Sequence, residues 1–253
     1  MLENIDGYLL DLDGTCYLSD TPIEGATDFV VACRKQGKRV LWVTNNCSRT
    51  AAEYAAKLQR LGFAATPEDI FTAGEATTQL LRRRGCTRVY LLGTPSLESE
   101  FTAAGITLTE KDPQYVVAAF DMTVTYEKLK RACLLIHSGV PFMATHPDRN
   151  CPTDEGPIPD CGALTALIST ATGVQAEVVG KPHAGMATAA AQRINLPLER
   201  IAMVGDRLYT DIKLAVDNQM TGILVLSGET SRADLAGSSV QPHHVLPSIA
   251  SLI

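Results

Sequence analysis

The stretch Tyr8-Leu9-Leu10-Asp11-Leu12-Asp13-Gly14-Thr15 decides how the rest of the chain is read. An apolar run leads out of a strand, and two carboxylates follow at i and i+2. Alternation along an extended backbone points both the same way. Gly14 then permits a sharp turn, through backbone angles closed to residues with a Cβ. Taken alone, the stretch reads first as a polar turn after a buried strand. What separates that reading from a reactive site lies further along.

Working outward, Ala26 to Gln36 carries apolar residues at helical spacing (Ala26, Phe29, Val30, Cys33) and stops at Gly37. Arg39-Val40-Leu41-Trp42-Val43 is a second buried strand, so strand, helix and strand follow one another with short joints, the unit that builds parallel sheets. That strand runs into Thr44-Asn45-Asn46, with a helix from Arg49 to Leu61 beyond. A hydroxyl and unpaired N–H groups at a helix start suit an anion, and they equally suit helix capping by Asn46 or Ser48.

From about Ala73 the pattern restarts. Helices are expected over Ala76 to Arg84, Ser96 to Ala104, Tyr126 to Ser138 and Ala163 to Thr172, and strands over Arg88 to Leu92, Tyr115 to Phe120, Pro141 to Thr145 and Ala176 to Val179. His146 to Gly162, rich in Pro, Asp and Gly, reads as an extended loop. This middle hundred or so residues is itself α/β and large enough to be a domain inserted in the first. Gly180-Lys181-Pro182 and an alanine-rich helix from Ala184 to Ile194 follow it. The strand Ile201 to Val204 then ends in Gly205-Asp206-Arg207, with Asp211 beyond, and Ile223 to Leu226 precedes Ser227-Gly228.

At 253 residues, 45% hydrophobic and 20% charged, the chain can bury a large core and is not disordered by composition. No apolar run approaches the ~20 residues needed to cross a bilayer, and the first residues lack a secretory pattern, so a cytoplasmic location is expected. A net charge of -6 without a basic block argues against nucleic-acid or membrane partners. Seven cysteines, odd in number and never in Cys-x-x-Cys, fit free thiols rather than a disulfide framework or a zinc site.

Three strands thus end in chemically distinctive residues: Asp11 and Asp13, Thr44, and Asp206. In an open parallel sheet ligands bind outside the carboxyl ends of the strands. If these strands are neighbours, their carboxylates, one hydroxyl and Lys181 converge. Like charges that close disfavour ionisation, and a hard divalent cation with oxygen ligands, such as magnesium, resolves the conflict.

Asp11-Leu12-Asp13-Gly14-Thr15, Thr44-Asn45-Asn46, Lys181 and Gly205-Asp206 with Asp211 resemble, in order and spacing, the four motifs of the haloacid dehalogenase-like phosphatase superfamily. Phe120-Asp121, Thr125 to Leu129, Ala144-Thr145-His146-Pro147-Asp148, Gly162-Ala163-Leu164 and Val179-Gly180-Lys181-Pro182 are similar to its NagD and 4-nitrophenylphosphatase branch, over nearly the whole chain. The resemblance implies a Rossmann-like parallel-sheet core, residues 1–72 and 180–253, with a large inserted α/β cap, residues 73–179. It implies a magnesium-dependent phosphomonoesterase acting on a small metabolite such as a sugar phosphate or nucleoside monophosphate. Asp11 would be the nucleophile that forms an aspartyl-phosphate and Asp13 the general acid/base. Thr44, Asn45, Asn46 and Lys181 would hold phosphoryl oxygens, and Asp11, Asp13 through its carbonyl, Asp206 and, more remotely, Asp211 would serve the Mg ion. Related enzymes often form homodimers through the cap.

His146 departs from the family's usual Ala-Thr-Asn-Pro-Asp and is placed among the substrate-binding residues, with packing as its other reading. Cys16 and Cys47 read as small packed side chains, and the His243-His244 pair as structural. Two alternatives accompany the phosphatase. One is a phosphotransferase or phosphomutase of the same superfamily, whose cap is usually a smaller insert after the first motif. The other is a non-catalytic phospho-ligand binding protein, which would not need both Asp11 and Asp13.

Overall fold

The structure, a computed structural model, describes residues 2–153 and 155–253. Met1 of the expected core and Asp154 of the expected loop lie outside the described residues. Contacts divide the chain into two compact units. The first holds the chain up to Thr44, Ala51–Phe71 and Lys181–Ile253, and the second holds Asn45–Thr50 and Thr72–Gly180.

In the first unit six strands form one sheet, in the order His244–Leu246, Thr221–Val225, Ile201–Gly205, Gly7–Leu10, Arg39–Thr44 and Ile70–Thr72. The opening strand lies in the middle, parallel to both neighbours, with Leu10 beside Val204 on one side and Trp42 on the other. Continuous apolar runs such as Gly7–Leu10, buried at every position, belong in a parallel sheet covered on both faces. Helix Ala26–Lys35 buries Ala26, Phe29, Val30 and Cys33, the stripe its spacing predicts. Phe29 meets Tyr8 edge to face at 5.0 Å between ring centres, and Trp42 meets Phe63 likewise at 5.9 Å. Asp28 in the helix's first turn and Arg34 and Lys35 in its last complement its dipole.

The second unit repeats the α/β plan. Its sheet runs Glu177–Val178, Phe142–Ala144, Tyr115–Ala118, Arg88–Leu92 and Thr107–Leu108, all parallel. Helices Ala73–Arg83, Pro95–Ala103, Tyr126–His137 and Cys161–Thr172 belong to the same unit. Tyr90, Leu92, Val116, Ala118, Phe142 and Ile168 share its core. Segment Asn45–Thr50 groups here because Asn45 and Cys47 bond to Asp148 and Thr145, partners about a hundred residues away.

The expected helices and strands are present to within a few residues at their ends, where caps and fraying decide the limits. The helix expected from Ala163 begins at Cys161, because Asp160 caps it through the Cys161 N–H. The loop expected from His146 to Gly162 contains a short antiparallel ribbon, Asn150–Cys151 with Ile158–Pro159. Ile70–Thr72, Arg232–Gly237 and His244–Leu246 were likewise not legible, being too short to show a period. None of the seven cysteines, all of them among the described residues, forms a disulfide. Among the described residues no helix is long and apolar enough to cross a membrane.

One buried acid stands apart from any site named above. Glu100 packs against the helix start at Gly74, and its Oε1 is buried with no partner among the described residues. Burial, helped by the charge of Glu75 and opposed by a hydrogen bond from Thr72, pushes its carboxyl up to about 7. A carboxyl whose folded pKa lies above its unfolded value favours the folded state most at low pH. That contribution declines as pH rises from about 4.5 through about 7. Glu100→Gln is therefore expected to raise stability at pH 8 by about 1–2 kcal/mol and to change it little at pH 5. Urea unfolding at the two pH values measures this, and an equal effect at both would contradict it.

Candidate active site

The strands that carry Asp11, Thr44 and Asp206 are neighbours in the sheet, and all run the same way. The three residues therefore leave one edge, where a parallel sheet presents its ligand site. The Asp11 N–H continues the ladder by donating to the Val204 carbonyl at 2.9 Å.

Lys181 joins them. Its Nζ lies 2.5 Å from Asp11 Oδ1 and 2.6 Å from Asp211 Oδ1, and it also donates to the Val43 carbonyl at 3.0 Å. These three acceptors suit the three donors of an ammonium group. Burial would lower the Lys181 pKa, but the charges of Asp11 and Asp211 outweigh it and hold the pKa above its ordinary value. The lysine is thus a buried cation fixed against the expected nucleophile.

Asp211 sits on a π-helical turn, Leu208–Ile212, in which the Ile212 N–H reaches back five residues to the Arg207 carbonyl. Such widened turns recur at functional sites. The second oxygen of Asp211 accepts the Arg207 backbone N–H at 3.2 Å. Burial pushes the Asp211 carboxyl up to about 7, with Lys181 pulling against it and Asp11 adding to it. Both its oxygens are bonded, so Asp211 orients the lysine.

Asp206 differs. Its Oδ2 accepts the Glu229 N–H at 2.6 Å, while its Oδ1 is buried with no partner among the described residues. A Cβ at Gly228 would lie 2.0 Å from Asp206 Oδ2, and one at Gly14, where φ is +81°, would lie 2.4 Å from it. Only glycines leave room for the carboxylate there. Burial first, then the charges of Asp11 and Asp211, push the Asp206 pKa well up.

Asp11, Asp206 and Asp211 each bring an oxygen to within 4.8 Å of the others. A bare buried carboxylate oxygen in that company is costly without a cation, and an all-oxygen donor set is the kind magnesium takes. The residues present fit a divalent cation.

Asp13 is half-buried beside this cluster in sequence, and the Tyr17 hydroxyl donates weakly to its Oδ2 at 3.5 Å. Tyr17 is buried under Lys57, whose Nζ lies 3.9 Å from the ring centre. Burial and the nearby Asp13 raise the Tyr17 pKa, so its hydroxyl remains a donor. Thr44 is buried at the end of its strand.

Three expected substrate-binding side chains have other engagements. The Asn45 amide donates to Asp148 Oδ1 at 3.0 Å. Asn46 Oδ1 accepts from Ser48 N–H at 3.0 Å and Ser48 Oγ at 2.7 Å, closing a local turn. His146 corrects the expectation most. It has no accessible surface, its Nδ1 lies 2.9 Å from Thr145 Oγ1, and its Nε2 lies 2.9 Å from Asp160 Oδ1. Direct contact with a substrate would require the ring to leave both partners. Cys16 and Cys47 are buried, as expected of packed side chains, and burial pushes the Cys16 thiol up. His243 has a structural role, its Nδ1 accepting the Gly222 N–H at 2.9 Å.

Sequence reasoning missed the strap that holds Asp206. Ser227 Oγ donates to the Gly14 carbonyl at 2.7 Å, Thr230 N–H to the Asp206 carbonyl at 3.2 Å, and Arg207 Nε pairs with Glu229 Oε2 at 2.9 Å. Ser-Gly directly after the last apolar run was the available signal. The partners are backbone groups, which every residue carries.

Known proteins resemble this chain over nearly its whole length. A family model described as haloacid dehalogenase-like hydrolase matches residues 8–107, and one described as HAD-hydrolase-like matches residues 178–252. The 5'-nucleotidase YutF of Bacillus subtilis is 34% identical over 253 residues, covering 100% of this chain and 99% of the relative. An acid sugar phosphatase of Staphylococcus saprophyticus is 34% identical, with 100% and 98% covered. Among solved structures, a 4-nitrophenylphosphatase of Thermotoga maritima superposes with a TM-score of 0.95 at 41% identity, covering 98% of this chain and 96% of that one. A glycerol phosphate phosphatase of Mycobacterium tuberculosis in complex with magnesium superposes at 0.92 with 35% identity, covering 99% and 77%.

Proposed function

The chain belongs to the haloacid dehalogenase-like hydrolases, and from that premise we propose that it is a magnesium-dependent phosphatase of small phosphomonoesters that uses Asp11 as its nucleophile. The observation that carries the assignment of residues is the pairing of Asp11 with a buried Lys181 beside the bare Asp206 Oδ1.

In the first step an Asp11 carboxylate oxygen bonds to phosphorus as the ester P–O bond breaks, and Asp13 gives its proton to the departing oxygen. In the second, Asp13 takes a proton from water, whose oxygen bonds to phosphorus. The aspartyl–phosphate bond then breaks, inorganic phosphate leaves, and Asp11 is restored. Thr44 and the Asn45 backbone hold phosphoryl oxygens, and Lys181 offsets charge on the phosphoryl group and Asp11. Asp11, Asp206 and the Asp13 carbonyl are the proposed magnesium ligands, with Asp211 behind them. Bound magnesium would neutralise charge building on the phosphoryl oxygens.

Residues 73–179, most of the second unit, are the proposed cap that selects the leaving group and offers a homodimer face. The named relatives include a nucleotidase and phosphatases of sugar and glycerol phosphates. A panel of those esters is therefore the natural screen. Release of phosphate from 4-nitrophenyl phosphate is expected with magnesium and is expected to stop on chelation. Absence of release from every ester tried, with magnesium present, would sink the proposal.

A further inference from the structure

We propose that His146 is a positioning residue: as a cation paired with Asp160, it fixes the turn Thr145–Asp148 and, through Asp148, the side chain of Asn45. The inference deepens the phosphatase reading and rests on it, because Asn45 follows the phosphate-binding Thr44 in the chain.

Hydrogen-bond directions support the charge. Cys47 S–H donates to Thr145 Oγ1 at 3.5 Å, Thr145 O–H to Cys161 Sγ at 3.7 Å, and Cys161 S–H to the Ala118 carbonyl at 3.4 Å. That arrangement leaves Thr145 Oγ1 able to accept from His146 Nδ1, 2.9 Å away. On the other side of the ring, Asp160 Oδ1 accepts from Nε2 at 2.9 Å and from the Cys161 N–H at 2.5 Å. An ionised carboxylate can only accept, so paired with Asp160 in that form Nε2 carries a proton as well. A ring with both nitrogens protonated is an imidazolium.

Charge balance gives the same answer independently. Asp148 and Asp160 are both buried, and each brings an oxygen to within 4.8 Å of a His146 nitrogen. The titratable groups facing the ring are Asp160 and Cys161 at the start of helix Cys161–Thr172, Asp148 on its own turn, and Cys47 on segment Asn45–Thr50. Asp148 and Asp160 are the carboxylates among them, and a cation at His146 offsets their charge in part. Burial alone would lower the His146 pKa, but the charge and hydrogen bond of Asp160 act to raise it.

The spacing of His146, Asp148 and Asp160 would also suit a metal ion, yet the contacts favour a brace. Both ring nitrogens and Asp160 Oδ1 are bonded, and none of the three residues contributes a buried atom without a partner. In the Asp11 cluster, by contrast, Asp206 Oδ1 stands bare.

The brace reaches Asn45 through a stiff link. Pro147 separates His146 from Asp148, and the Gly162 N–H donates to the Asp148 carbonyl at 2.7 Å. A Cβ at Gly162 would lie 2.2 Å from the Pro147 carbonyl oxygen, so the two backbones are as close as glycine allows. Asp148 Oδ1 then accepts the Asn45 amide at 3.0 Å.

The test compares wild type with His146→Gln, Asp160→Asn and the double variant, using magnesium and 4-nitrophenyl phosphate, with NMR on the same proteins. Each single variant is expected to raise KM about tenfold while kcat stays within about threefold, and the double variant to be no worse than the worse single. The Asn45 side-chain amide signals are expected to shift in His146→Gln, and both ring nitrogens of wild-type His146 to stay protonated from pH 6 to pH 8. Unmoved Asn45 signals overturn the positioning role, as does an unchanged KM in folded variants. A ring that titrates near ~6.5 overturns the ion pair. If the variants do not fold, the wild-type ring titration decides alone. A wild type that releases no phosphate refutes the phosphatase reading, while the two NMR measurements still decide the brace.

Discussion

Asp11→Asn is expected to lower magnesium-dependent phosphate release by at least about 10⁴-fold, with the protein still folded. An amide is a poor nucleophile toward phosphorus, and the second half-reaction has nothing to hydrolyse without the acyl-phosphate. The fold should persist because Lys181 keeps Asp211 and the Val43 carbonyl as partners. Acid-quenched protein from a reaction with radiolabelled phosphoester should carry label in wild type and none in the variant. Undiminished release from Asp11→Asn would remove Asp11 from the proposed role.

Lys181→Met is expected to damage both stability and rate. The substitution preserves length and removes the one charge between Asp11 Oδ1 and Asp211 Oδ1, leaving two buried carboxylates facing each other. Breaking a buried pair in this way costs about 3–5 kcal/mol. Loss of the cation from the phosphoryl site should lower kcat about 10³-fold. The stability loss has a predictable sign with pH. The Asp211 carboxyl is already pushed up to about 7, and without the lysine it is raised further, so the folded variant holds a proton that the unfolded chain releases. The deficit should therefore be smaller at pH 5.5 than at pH 8. Guanidinium unfolding at the two pH values measures it, and an unchanged midpoint would contradict the buried-pair account.

Much of the candidate site was legible because parallel sheets put ligands at strand ends. Asp11, Thr44 and Asp206 each follow an apolar run, and Lys181 opens a helix segment after another, so residue type and place in the pattern pointed together. His146 was misplaced for an equally physical reason. Substrate contact and packing were both open for it, and its ring is buried by partners at 47, 145 and 160 that no local window contains. Cys47 shows the same limit, since its grouping with the second unit depends on Thr145.

By itself the sequence determined the alternation of strands and helices, and it pointed to a set of candidate reactive groups. Those follow from hydrophobic period and residue chemistry, which are local. Only the tertiary structure decided that the Asp11 strand lies between the Thr44 and Asp206 strands, and that a π-helical turn aims Asp211 at Lys181. It also decided that Asp206 keeps one oxygen bare while Glu229 holds the other. These outcomes depend on strand order and on backbone N–H groups, which are alike at every residue but proline, so no pattern along the chain can distinguish the one that will be used.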